Sequence, residues 1–214
     1  MIDERTKRDI DKLVESLLKD IYALKPPLEL KDVLDHLKLH RSYYSLDDPS
    51  LLKEIEHKIK IGAQIGLRKI KKIFKKVAIK AITIPGERKI LIDEDIPDIK
   101  KRWAESHEIC HNLIPTHQYF LFGDIPETLD PDYHEMLEAE ANYGASSLIF
   151  LGDLFKKEAL DLSEEWNSIS VLAKRYGNSL ASTLRRYVHF SHDTPKVGFV
   201  HTPTWMPMCS GQES

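Results

Sequence analysis

His107-Glu108-Ile109-Cys110-His111 sets two imidazoles four positions apart with a carboxylate directly after the first. On an α-helix His107 and His111 stand one turn apart on the same face, so two ring nitrogens can reach one ion. Glu108 lies about 100° round from His107, within hydrogen-bonding reach of a water on that ion. An ion such as Zn²⁺ held by three protein groups keeps a fourth position for water and lowers that water's pKa to about 7. Glu108 is then the candidate general base, taking the proton as water attacks a carbonyl and passing it to the leaving amine. Cys110 turns away from the face of the two histidines and reads as a small buried thiol. The pentapeptide needs a third ligand from elsewhere in the chain.

The stretch from Asp132 to Leu151 reads as a helix and offers two acids, Glu138 and Glu140. They stand about 200° apart, so both cannot face the same ion. The face of Glu138 continues through Ala141, Asn142, Ala145, Leu148 and Ile149, small and apolar residues suited to packing on another helix. The face of Glu140 runs through Tyr143, Gly144 and Ser147 and is more polar. Glu138 is therefore favoured as the inward-pointing ligand. Asn142, one turn on, is a candidate to orient a ligand from behind. His134 is a weaker ligand candidate and reads as a surface histidine. Tyr133, Tyr143 and His117 are candidates to hydrogen-bond a developing oxyanion, and nothing ranks them.

His107-Glu108-Ile109-Cys110-His111, followed by Glu138-Ala139-Glu140-Ala141-Asn142-Tyr143-Gly144-Ala145 and Leu148-Ile149, resembles the ImmA/IrrE-type metallopeptidases. Their second motif is Glu-x-x-Ala-Asn, and its first Glu is the zinc ligand, which maps onto Glu138. The resemblance spans roughly Leu28 to Phe155 and implies one Zn²⁺ per chain. It also implies a protein substrate, a helix-turn-helix repressor whose cleavage would derepress mobile-element or stress genes. Tyr143-Gly144 stands where the family has Phe-Ala, and Phe150-Leu151 where it has Met-Pro. These departures bear on substrate preference more than on metal binding.

The remaining sequence supplies the elements that must position this site. Ile10, Leu13, Val14, Leu17, Leu18 and Ile21 form one stripe of an amphipathic helix over Asp9 to Leu24, ended by Pro26-Pro27. A shorter helix buries Leu30, Val33, Leu34 and Leu37, and Asp47-Asp48-Pro49-Ser50 opens another through Ile59. Arg68 to Lys80 is a basic helix with apolar Ile70, Ile73, Phe74 and Val77, read as a solvated face or as a patch for nucleic acid or an acidic partner. Val77–Ile84 and Arg88–Ile92 read as a hairpin about Pro85-Gly86. The His helix runs from Ile99 to just before Pro115, and Thr116 to Pro131 is a loop. The expectation is an α+β, mostly helical, zincin-like domain over residues 1–155 with a small antiparallel sheet.

Behind it, residues 156–192 read as a helical unit: Ser163 caps one helix ending at Gly177, and Ser179 to Phe190 forms a second. The spacing is similar to a helix-turn-helix, which makes Arg185 and Arg186 candidate nucleic-acid contacts. The alternative is a helical hairpin covering the core. Residues 193–214 read as an irregular tail.

The chain has 214 residues, is 42% hydrophobic and 30% charged, and carries a net charge of −3. That balance describes an ordinary globular protein and argues against wholesale nucleic-acid binding. The cysteines, Cys110 and Cys209, provide no disulfide framework, and no signal core or apolar run of 18 residues occurs. A cytoplasmic location without membrane partners is expected. The competing function is a DNA- or protein-binding regulator whose zinc site is structural or vestigial.

Overall fold

The computed structural model describes residues 2–22, 24–45, 81–84, 88–117 and 131–190. The expected helix opened by Asp47, the basic helix, the Pro85-Gly86 turn, most of the Thr116 to Pro131 loop and the tail lie outside these residues. In chain order, α1 is Glu4–Asp20, α2 Leu30–Leu37, β1 His40–Tyr44, β2 Ala81–Ile84 and β3 Lys89–Asp93. They are followed by α3 Asp98–Leu113, α4 Pro131–Ile149, α5 Asp153–Leu160, α6 Trp166–Tyr176 and α7 Leu180–Phe190. The fold is α+β and mostly helical, as expected. Among the described residues, no helix is long and apolar enough to cross a membrane.

Helix α1 begins earlier than its apolar stripe indicates. Asp3 caps it, accepting from the amides of Arg5 and Thr6 at 2.9 and 3.0 Å. It stops at Asp20, short of the two prolines, because Ile21 is already extended. Ile10, Val14, Leu17 and Leu18 are its buried face.

The sheet corrects an expectation. Strands β2 and β3 pair antiparallel, as the hairpin requires, but β1 joins the other edge of β3 in parallel. The order is β1-β3-β2, so the sheet is mixed. Ile90, Leu91 and Ile92 of β3 are all fully buried, consistent with a central strand covered on both faces. Helix α3 packs on β2 and β3 and, most extensively, on α4; α1 covers another side of α4.

Helices α6 and α7 share this core. Ile169, Leu172, Tyr176 and Tyr187 belong to the same buried cluster as Ile10, Ile92, Ile109 and Leu148. Phe150, Phe155 and Tyr176 stack edge to face, with ring centroids 4.7 Å apart for Phe150–Phe155 and 5.1 Å for Phe155–Tyr176. Gly177 ends α6 in the left-handed conformation at φ 65°, where a Cβ would also meet Cβ of Pro27 at 3.2 Å.

Candidate metal centre

Helix α3 is unusual in what it buries: Glu105, Ser106, Glu108 and His111 lie inside along with Ala104, Ile109 and Cys110. Polar groups removed from water need partners, and each of these has one. Glu105 accepts two hydrogen bonds from Arg41 Nη1 at 3.0 Å, which ties β1 to α3. Burial raises its pKa, and the Arg41 charge opposes that rise. The Ser106 hydroxyl donates to the Trp103 carbonyl at 2.8 Å. Glu108 Oε2 accepts from the Thr83 hydroxyl of β2 at 2.8 Å. Thr83 in turn accepts from Asn112 Nδ2 at 3.0 Å, so its single proton is committed to Glu108.

His107, His111 and Glu138 converge where α3 meets α4. The two Nε2 atoms lie 3.0 Å apart, Glu138 Oε2 is 3.2 Å from that of His107, and Oε1 is 3.4 Å from that of His111. A tetrahedral zinc with bonds of about 2.0–2.1 Å separates its ligand atoms by about 3.3 Å. Each separation is close to that spacing, with the Glu138 carboxylate turning one oxygen to each imidazole, so the three groups could hold such an ion. Burial would raise the pKa of Glu138, but hydrogen bonds and charge from His107 and His111 hold it far below the usual carboxylate range. His107 shows the reciprocal effect. Burial depresses its pKa, yet its hydrogen bond to Glu138 and the charges of Glu108 and Glu138 leave it raised. The three candidate ligand groups thus face one another with complementary charge.

Asn142 stands behind the first ligand, with Oδ1 3.1 Å from His107 Nδ1. Accepting a proton there leaves the Nε2 lone pair for an ion. Glu140 is 8% exposed and lies 3.0 Å from His117 Nε2, away from the three ligand atoms. Its burial reverses the expected order of the two acids: His117 covers Glu140, whereas the Glu138 side chain is 41% exposed and Asn142, one turn on, lies at the surface. Tyr143 and Ser147, on the same face, donate to Asp11 of α1 at 2.8 and 2.9 Å. Tyr143 is thus engaged with α1 rather than with the candidate ligands. His117 is buried and hydrogen-bonded within the protein, and the side chain of His134 lies outside the described set.

Cys110 is fully buried, and burial pushes its thiol pKa well above the ordinary range. It packs where a Cβ on Gly144 would come within 3.1 Å of its sulfur and 3.3 Å of Ile10 Cγ2. This close approach lets α4 carry Glu138 up to the histidines. Gly144→Val is expected to lose about 1–3 kcal/mol of stability through overpacking and to weaken metal binding as α3 and α4 separate. Chemical denaturation and zinc titration of the variant check both effects.

Arg185 is exposed, whereas Arg186 is 7% exposed. Burial lowers the Arg186 pKa against the opposing charges of Tyr143, Asp11 and Asp153. The expected pair of surface arginines is therefore reduced to one. Thr83 was not singled out in the sequence, since a threonine on a strand carries no mark of the helix it will face. Its one signal is its place in the hairpin next to the His helix.

No protein-family model matches the chain, and no curated protein sequence matches it. Its fold is similar to that of a solved structure, a Mycobacterium tuberculosis transcriptional regulator, with a TM-score of 0.53 at 12% identity. The match covers 86% of this chain and 48% of the regulator, so the chain spans about half that protein's length. At this identity the likeness concerns the fold alone.

Proposed function

We propose that this chain is a zinc-dependent endopeptidase, with His107, His111 and Glu138 as ligands and Glu108 as general base and acid. The observation that carries the reading is the convergence of two imidazole nitrogens and a carboxylate on one point, beside a second carboxylate anchored by Thr83. A zinc ion held there supplies Lewis acidity toward a carbonyl and lowers the pKa of water to about 7. Glu108 takes a proton from the attacking water and delivers it to the leaving nitrogen. The Thr83 hydroxyl holds one of its oxygens, fixing the direction in which the carboxylate can act. Asn142 keeps His107 in the tautomer that offers Nε2.

By the resemblance of the two motifs, the substrate is a helix-turn-helix repressor, and its cleavage derepresses mobile-element or stress genes. The test incubates the zinc-loaded chain with such repressors and follows their size. Cleavage should stop when a chelator removes the metal and return when zinc is restored. Cleavage that persists in the chelated protein would exclude the assigned chemistry.

The second reading, a DNA- or protein-binding regulator with a structural or vestigial zinc, is favoured by the fold's likeness to a transcriptional regulator. Structural zinc sites close with four protein ligands, whereas among the described residues this group has three. That reading also leaves Glu108 without a task. Duplex binding that falls steeply as salt rises would support it, and no binding at low salt would remove the DNA form.

A further inference from the structure

His111 turns its second nitrogen inward. Its Nδ1 lies 2.9 Å from Nδ1 of His117, whose Nε2 lies 3.0 Å from Glu140 Oε2. His117 is 1% exposed, and neither it nor Glu140 belongs to the ligand group. Unlike the two Nε2 atoms of His107 and His111, whose lone pairs can both face an ion, these two nitrogens face each other and must share one proton, because facing lone pairs repel and facing N–H groups collide. A histidine giving its Nε2 lone pair to an ion carries its proton on Nδ1. His111 then donates to His117 Nδ1, the His117 proton sits on Nε2, and Glu140 accepts it. This arrangement satisfies every nitrogen in the chain of contacts.

We propose that Glu140 and His117 are positioning residues that set the tautomer and ring orientation of His111. The inference rests on the zinc-binding reading above. The relay begins and ends on α4. Glu138 approaches His111 from the Nε2 side, and Glu140, two positions later, reaches its Nδ1 side through His117. Asn142 serves His107 from the same helix. One helix thus supplies a ligand and orients both imidazoles, so its two carboxylates divide the work of binding and aiming.

The test measures zinc affinity of the full chain by competition with a chromophoric chelator, and visible absorption after cobalt(II) loading. Glu140→Leu and His117→Leu are each expected to bind zinc about 10–100-fold more weakly and to shift the cobalt bands. Glu140→Gln keeps an amide oxygen that accepts from His117, and is expected to remain close to the wild type in both readouts. Wild-type affinity and an unchanged cobalt spectrum in Glu140→Leu would overturn the relay, as would a Glu140→Gln variant as weak as Glu140→Leu. If Glu140→Leu fails to fold by circular dichroism, His117→Leu and Glu140→Gln carry the same comparison. A folded wild type that takes up no zinc would overturn the metal reading itself, which separates the two failures.

Discussion

Glu108→Gln is expected to hold one zinc per chain while hydrolysing its substrate about 10²–10⁴-fold more slowly. Glutamine matches glutamate in shape, and its amide oxygen can still accept from the Thr83 hydroxyl, now 2.8 Å from Glu108 Oε2. The packing of α3 on β2 therefore survives, and so do the positions of His107 and His111. What is lost is a group that can take a proton from water at neutral pH and return it to an amine. Elemental analysis and initial-rate measurements on the same sample read the two effects separately. Undiminished hydrolysis by a zinc-loaded variant would remove Glu108 from the mechanism.

Phe155→Ala is expected to destabilise the protein by about 3–5 kcal/mol, which at this chain length lowers the melting temperature by about 10 °C. Phe155 is fully buried, edge-on to both Phe150 at the end of α4 and Tyr176 at the end of α6. Loss of the ring leaves a cavity where the ligand-bearing helix meets the helices behind it. The account expects one cooperative transition, shifted as a whole, because residues of α6 and α7 belong to the same core cluster as those of α1 and α3. Two separate transitions, with the metal-site half unshifted, would show that the C-terminal helices stand apart as a unit of their own.

Much of the site is legible in the sequence because a helix converts spacing into direction. His107 and His111 share a face by their four-residue separation, and the small residues after Glu138 mark the side of α4 that approaches another helix. Ala141 and Ala145 of that face are fully buried, but the closest approach to α3 is at Gly144, on the face of Glu140 that reads as polar. The antiparallel pairing of β2 with β3 is likewise local, between two apolar runs close together in the chain.

What the sequence conceals has a common physical origin, the partner that lies far along the chain. Strand β1, His40-Arg41-Ser42-Tyr43-Tyr44, has no apolar alternation, and its parallel pairing with Lys89–Asp93 is set by a strand nearly fifty positions away. Glu140 reads as outward-facing only if α4 has one buried side. In the fold, Asp11 answers Tyr143 and Ser147, and His117 answers Glu140, so a polar face is buried with its partners. Arg186 follows the same logic, since its charge suggests the surface while its helix position places it inside. A polar stripe on a helix reports that the groups need partners, and leaves open whether water or protein supplies them.

The most direct test of the metal centre is zinc per chain by elemental analysis, for the wild type beside Glu138→Ala. The account predicts one zinc per chain in the wild type and loss or marked weakening of binding in the variant, because Glu138 supplies the carboxylate facing both imidazoles. A folded wild type that takes up no zinc when the metal is offered, or a Glu138→Ala variant that binds it undiminished, would contradict it.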